Sequence, residues 1–187
     1  MLKAIHFANS LNEIHLLANF RHREILQLLS EHPMTQTELS RILGLTKSAI
    51  AYHLKQLMQA QLIYINKIEV EDHGIQQKFY SPIAYFIIAA YNQTPDNIKR
   101  YFIQMQIEHI IGIIAALQSI STCFFEINPE TIENLATLLW KQLEYTCKKF
   151  ENKKVIETSE SLKIAIYTDA LTNLVKTSEW KALLPVS

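Results

Sequence analysis

The chain has 187 residues, 49% hydrophobic and 19% charged, with a formal net charge of zero, 3 Gly, 5 Pro and 2 Cys. That length buries a sizeable core without disulfides or structural metals, and Cys123 and Cys147 form neither a disulfide framework nor a metal-ligand spacing. No basic segment followed by an apolar run and a cleavage site opens the chain, and its most apolar windows, Ile83 to Tyr91 and Ile110 to Leu117, are too short to cross a bilayer, so a cytoplasmic protein is expected.

The scarcity of breakers points to a mainly α fold with short connections. Ser10 to about Glu31 is expected as a first helix, opened by a capping box from Ser10 to Glu13, with Ile14, Leu17, Ala18, Ile25, Leu28 and Leu29 as its apolar stripe. Pro33 ends it. A short helix from Thr35 to Leu43 follows, with Thr35 as cap, Glu38 as its partner and Leu39, Ile42 and Leu43 as the buried side. Gly44 supplies a C-cap in the left-handed region. After Leu45 alone, Thr46 caps a third helix to about Ala60, with Ile50, Leu54, Leu57 and Met58 inward.

From Leu62 to Val70 the pattern becomes β-like, Glu71 to Gly74 is a turn, and Gln76 to Ser81 returns as a second strand. Ile83 to Tyr91, apolar on nearly every side, is expected as a buried helix. Thr94-Pro95-Asp96 and Asn128-Pro129-Glu130 each open a long helix, to about Ser119 and about Lys154, and Ser159 to about Leu183 forms a last one. The expected organisation is a winged helix-turn-helix domain over 1–81 and an all-helical domain over 82–187 for dimerisation and effector binding.

Two helices joined by a short glycine-containing turn make a helix-turn-helix, whose second member enters the DNA major groove. Lys47, Ser48, Ala49, Tyr52, His53 and Gln56 lie where such a helix faces bases, and the Thr46 cap leaves amide groups pointing at a phosphate. Arg41 and Lys55 are expected to hold the backbone. Charge gives little help: residues 1–80 hold 8 Lys/Arg against 7 Asp/Glu. Six of the seven histidines lie in that half, so mild acid would make it basic.

The run TQTELSRILGLTKSAIAYHLKQLMQAQLI resembles the core of the ArsR/SmtB-like winged-helix repressors and the wider archaeal and bacterial regulators related to them, over roughly Arg23 to Ser81. The resemblance implies a DNA-binding transcriptional regulator, with the recognition helix on Thr46 to Gln59, His53, Leu54 and Leu57 at its characteristic positions, Ser48 and Ala49 facing the groove, and the wing on Asn66 to Lys78. Two departures stand out. Gln61 replaces the glycine common before the first wing strand, and Glu69, Glu71 and Asp72 stand where an arginine is often found, leaving Lys67, Gln76, Gln77 and Lys78 as the wing's DNA contacts. The family often senses metals through cysteines of the second helix or Asp/His sets of the last. This chain has no cysteine between Met1 and Thr122, and His109 has no partner at ligand spacing, so neither metal nor cofactor is expected.

Double-stranded DNA and a second copy of the chain are the expected partners, because one recognition helix contacts only a few base pairs. Phe124 and Phe125 are the candidates for contact with an apolar small-molecule effector. The alternative is a winged-helix protein-protein interaction module with little DNA affinity, in keeping with the neutral charge and acidic wing tip. No phosphate-binding glycine loop, HExxH or nucleophile elbow marks an enzyme. His6, His15, His22, His32 and His73 share no tight spacing and are expected at the surface or at caps.

Overall fold

The computed structural model describes residues 2–70, 74–120, 128–151 and 158–184. It is mainly helical, with strands β1 (Lys3–Ala8), β2 (Met34–Thr35), β3 (Ile63–Val70), β4 (Gln76–Pro82) and β5 (Ala84–Ala89). The helices are α1 (Leu11–Ala18), α2 (Phe20–Glu31), α3 (Gln36–Leu43), α4 (Lys47–Gln59), α5 (Asp96–Ile120), α6 (Pro129–Phe150), α7 (Ser159–Leu174) and α8 (Ser178–Leu183). Two compact units result, Met1–Ala89 with Glu151–Leu162, and Ala90–Phe150 with Lys163–Ser187.

The capping signals hold where they are local. Ser10 and Glu13 form both halves of a capping box on α1, and Thr35 and Glu38 do the same on α3. The first helix is nevertheless two. Asn19, extended at ψ 122°, ends α1 and caps α2 by accepting the Arg21 N–H at 2.9 Å. Side chains of α2 reach the last carbonyls of α1: Arg23 takes the Leu17 and Ala18 oxygens at 2.8 and 2.9 Å, and His22 Nδ1, at 3.0 Å, shares the Leu16 oxygen with the Asn19 N–H.

Ala84 to Ala89 is a strand and not the expected helix. It pairs in parallel with β1, from Lys3 opposite Ala84 to Ala8 opposite Ala89. A run of six, rich in aromatic and β-branched residues and bounded by Pro82, is short for a helix and suits a strand buried on both faces. β2, β4 and β3 form a separate antiparallel sheet in that order. Its register shifts between Ile65 and Lys67, where Asn66 forms a bulge and donates to Ser81 Oγ at 2.9 Å. Beyond that bulge Ile68 and Val70 are exposed, so the inward alternation stops at Ile65.

Gln61 links α4 to β3 at φ 58°, the one non-glycine residue in the left-handed region among the described residues. The backbone there has the shape that a glycine takes at no steric cost. In the second unit Asn128 caps α6 through Thr131 N–H at 2.7 Å, as expected. Thr94 instead donates to the Ala90 carbonyl at 2.7 Å, and Pro95 supplies the first carbonyl of α5. Trp140 is fully buried between Tyr91 and Phe102, with ring centroids 5.0 and 5.1 Å away. The last helix breaks after Leu174, and Thr177 caps α8.

Replacing Gln61 by glycine relieves a left-handed cost of about 1–2 kcal/mol and adds about 0.5–1 kcal/mol of unfolded-chain entropy. Gln61→Gly is therefore expected to stabilise the protein by up to about 1 kcal/mol. Urea unfolding with an unchanged slope and a higher midpoint reads this directly.

Candidate nucleic-acid interface

The turn between α3 and α4 is held by one residue on both sides. Gly44, at φ 63°, and Leu45 direct their N–H groups to the Ser40 carbonyl, and the Ser40 hydroxyl donates to the Leu45 carbonyl at 2.6 Å. Thr46 then caps α4, its hydroxyl accepting from Ala49 N–H at 3.2 Å, and Gln36 donates to the Lys47 carbonyl at 2.7 Å. These contacts fix where α4 starts. Ile50, Leu54 and Leu57 fix its rotation, for all three are buried. Each removes enough apolar surface to contribute roughly 1.5–3 kcal/mol.

Opposite that seam, Ser48, Tyr52, Lys55 and Gln59 follow one another three or four residues apart and all are exposed, Tyr52 by 60%. Thr46 and Lys47 are exposed beside them, Ala49 is half-buried, and Arg41 is exposed on α3. Ile42, expected inward, is 49% exposed, so α3 buries only Leu39 fully. Met58, expected on the apolar face, sits at the rim of a groove of about 320 Å³ with Ala51, Lys55 and Tyr80.

His53 and Gln56 are half-buried and engaged from within. His53 Nδ1 lies 3.1 Å from His22 Nε2, Gln56 Oε1 lies 3.1 Å from the same nitrogen, and Gln56 Nε2 lies 3.0 Å from Tyr52 Oη. The Tyr52 ring meets the His53 ring edge-on at 5.6 Å. His22, expected at the surface or at a cap, does reach a carbonyl at the end of α1, but it is only 2% exposed, and that burial is what sequence reasoning missed. Its signal was available, since position 22 falls three and seven residues before the buried Ile25 and Leu29 of the same helix.

Burial holds His22 below the ordinary imidazole range, with the neighbouring His53 acting in the same direction. Burial, then the Arg21 cation, does the same to His53. Acid therefore charges these two less readily than the count of six histidines suggests.

On the wing, Lys67 pairs with Glu69 at 2.6 Å and lies over the Phe79 ring at 4.2 Å, so a phosphate must compete with contacts already made. Gln76 and Lys78 are exposed. Glu71, Asp72, Phe124, Phe125 and Cys123 lie outside the described residues. Cys147 is buried and its thiol is pushed up to about 12, which fits a packing role. Among the described residues no group of three or more His, Cys, Asp or Glu could hold a metal ion, and no helix is long and apolar enough to cross a membrane.

Residues 21–64 match the family model for bacterial regulatory proteins of the arsR family. No curated protein matches the chain. A solved structure of reduced HlyU from Vibrio cholerae N16961 is similar at 24% identity and a TM-score of 0.34, over 49% of this chain and 79% of that one. The family match spans α2, α3, α4 and the start of β3, so the similarity to arsR-family regulatory proteins is carried by the helix-turn-helix segment.

A histidine that resists protonation when folded binds fewer protons than in the unfolded chain, so stability falls as pH drops below about 6.5 and levels off below the folded value. The midpoint of urea unfolding is expected to be lower at pH 5.5 than at pH 8. His22→Gln, which removes one such group, should narrow that difference. His109, also held low by burial, adds the same sign in both proteins and cancels in the comparison.

Proposed function

We propose that the protein is a DNA-binding transcriptional regulator that grips a pseudo-palindromic duplex site as a homodimer, with α4 in the major groove. One observation carries this reading: the face of α4 formed by Ser48, Tyr52, Lys55 and Gln59 stays exposed while Ile50, Leu54 and Leu57 lock the helix from behind. Tyr52 is 60% exposed although its ring meets His53 edge-on and its hydroxyl meets Gln56, and the open part of its ring suits a base edge or a sugar-phosphate contact. Lys47 and Arg41 stand where phosphates flank a helix that enters the groove.

The homodimer follows from reach, because a recognition helix reads only a few base pairs and a second copy supplies the other half-site about 34–36 Å away. The second unit is the proposed source of that contact. Ile111, Tyr145 and Ile164 on its helices are each more than half exposed, which is apolar surface suited to a subunit seam. An apolar effector is assigned to the same unit, from the sequence alone.

The competing role as a protein-interaction module has one observation in its favour, the Lys67–Glu69 pair that leaves the wing with few uncommitted cations. Salt separates the two. Binding to random duplex should weaken steeply with added salt, and Lys47→Ala should weaken binding to all sequences and lower the log–log salt slope by about 1. Tyr52→Ala should cost roughly 1–3 kcal/mol on the preferred site and little on random duplex. Duplex affinity indifferent to salt and to both substitutions returns the domain to the protein-interaction reading. Sedimentation at micromolar protein should give twice the mass of the chain.

A further inference from the structure

Two imidazoles meet beneath α4, and the chain around them decides where their protons sit. His22 Nδ1 is 3.0 Å from the Leu16 carbonyl oxygen, which can only accept, so Nδ1 carries a proton. A neutral imidazole has one N–H, which leaves His22 Nε2 as a lone pair in a side chain 2% exposed. His53 Nδ1 lies 3.1 Å from that lone pair, with the two rings edge-on at 83°. Two lone pairs at that distance would repel each other, so His53 donates from Nδ1. The same repulsion applies to the Gln56 oxygen 3.1 Å from the His22 lone pair, so the Gln56 carboxamide is turned there: its NH2 donates to His22 Nε2 beside the His53 N–H, and its oxygen accepts from Tyr52 Oη.

A neutral His53 that spends its proton inward has only a lone pair at Nε2, where a freely solvated histidine more often carries the hydrogen. Among the described residues that nitrogen makes no hydrogen bond. Resting on the reading of α4 as the groove helix, we propose that His22 is a positioning residue that fixes His53 as the Nδ1–H tautomer, so that α4 offers an imidazole acceptor to an exocyclic amino group, cytosine N4 or adenine N6, on the contacted strand. A guanine edge, which presents only acceptors in the major groove, then finds no donor at this point. The groups facing the pair agree with a neutral state: the Arg21 cation on α2 opposes charge on His53, and Tyr52 and Gln56 on α4 are uncharged.

Long-range ¹H–¹⁵N spectra of the histidine-labelled full chain at pH 8 test the tautomer without DNA. Both His22 and His53 should appear as Nδ1–H forms. His22→Leu should convert His53 mainly to the Nε2–H form, and His22→Gln, which returns an acceptor within reach, should restore Nδ1–H. A wild-type His53 in the Nε2–H form, or one indifferent to His22→Leu, overturns the inference; if the leucine variant does not fold, the wild-type and glutamine spectra still decide it. Selection from a randomised duplex pool tests the groove half. The position whose preference His53→Ala relaxes should carry adenine or cytosine on the contacted strand, whereas guanine or thymine there, or no relaxed position, overturns it. Absence of any duplex binding strikes down the regulator reading together with the groove half, while the spectra still report the tautomer.

Discussion

The first unit depends on how α1 ends. A helix stopped at Ala18 leaves carbonyls without partners inside the protein, and each buried unsatisfied carbonyl costs about 1–3 kcal/mol. Arg23 of the next helix meets two of them, and its neighbour His22 adds a second bond to the Leu16 oxygen beside that from the Asn19 N–H. Those bonds fix the angle and rotation of α2 relative to α1. Once α2 is fixed, its inward residues Ile25, Leu26 and Leu29 define the floor on which the helix-turn-helix sits, and His22 stands where α4 crosses it. The exposed face of α4 is thus set by a chain of contacts that begins two helices earlier in the sequence, at an exposed asparagine.

Features written into three or four consecutive residues were legible beforehand. The Ser10–Glu13 and Thr35–Glu38 boxes, the left-handed Gly44, the Thr46 cap and the Ile50, Leu54 and Leu57 seam all follow from local hydrogen bonding and helical spacing. Features that need a distant partner were not. β1 and β5 pair across some 80 residues, and a parallel partner leaves no turn signal between the strands, so β5 read as a helix and β1 was not read at all. The Asn66 bulge is equally silent, because the alternation on either side of it is plausible taken separately. Gln61 is an intermediate case: its departure from the usual glycine was visible, but its positive φ shows that the backbone kept the glycine-like turn and accepted the strain.

The candidate site divides along the same line. Exposed positions of α4 came out of periodicity alone, because the buried seam fixes the opposite face. The fate of His53 and Gln56 did not, because the spacing that puts them near the groove says nothing about what lies beneath. Both are partly turned inward toward a histidine from another helix. The wing shows a similar effect in reverse, since Lys67 has the right sign and exposure for a phosphate yet is already shared between Glu69 and Phe79.

These commitments bear on how a neutral chain can recognise a polyanion. Non-specific affinity comes mostly from neutralised phosphates, and here few cations are uncommitted near α4: Arg41, Lys47, Lys55 and, on the wing, Lys78. Under the proposed DNA-binding role, a weak electrostatic grip leaves discrimination to the shape and hydrogen bonding of the exposed face of α4. That places a premium on side chains whose donor and acceptor pattern is fixed before DNA arrives, because a group ordered in advance loses less freedom on binding. Tyr52, held by Gln56, and His53, held by His22, are the two members of that face tied down in this way. Their anchor is the same imidazole that closes α1, so the contact that stabilises the fold also sets the chemistry the helix presents.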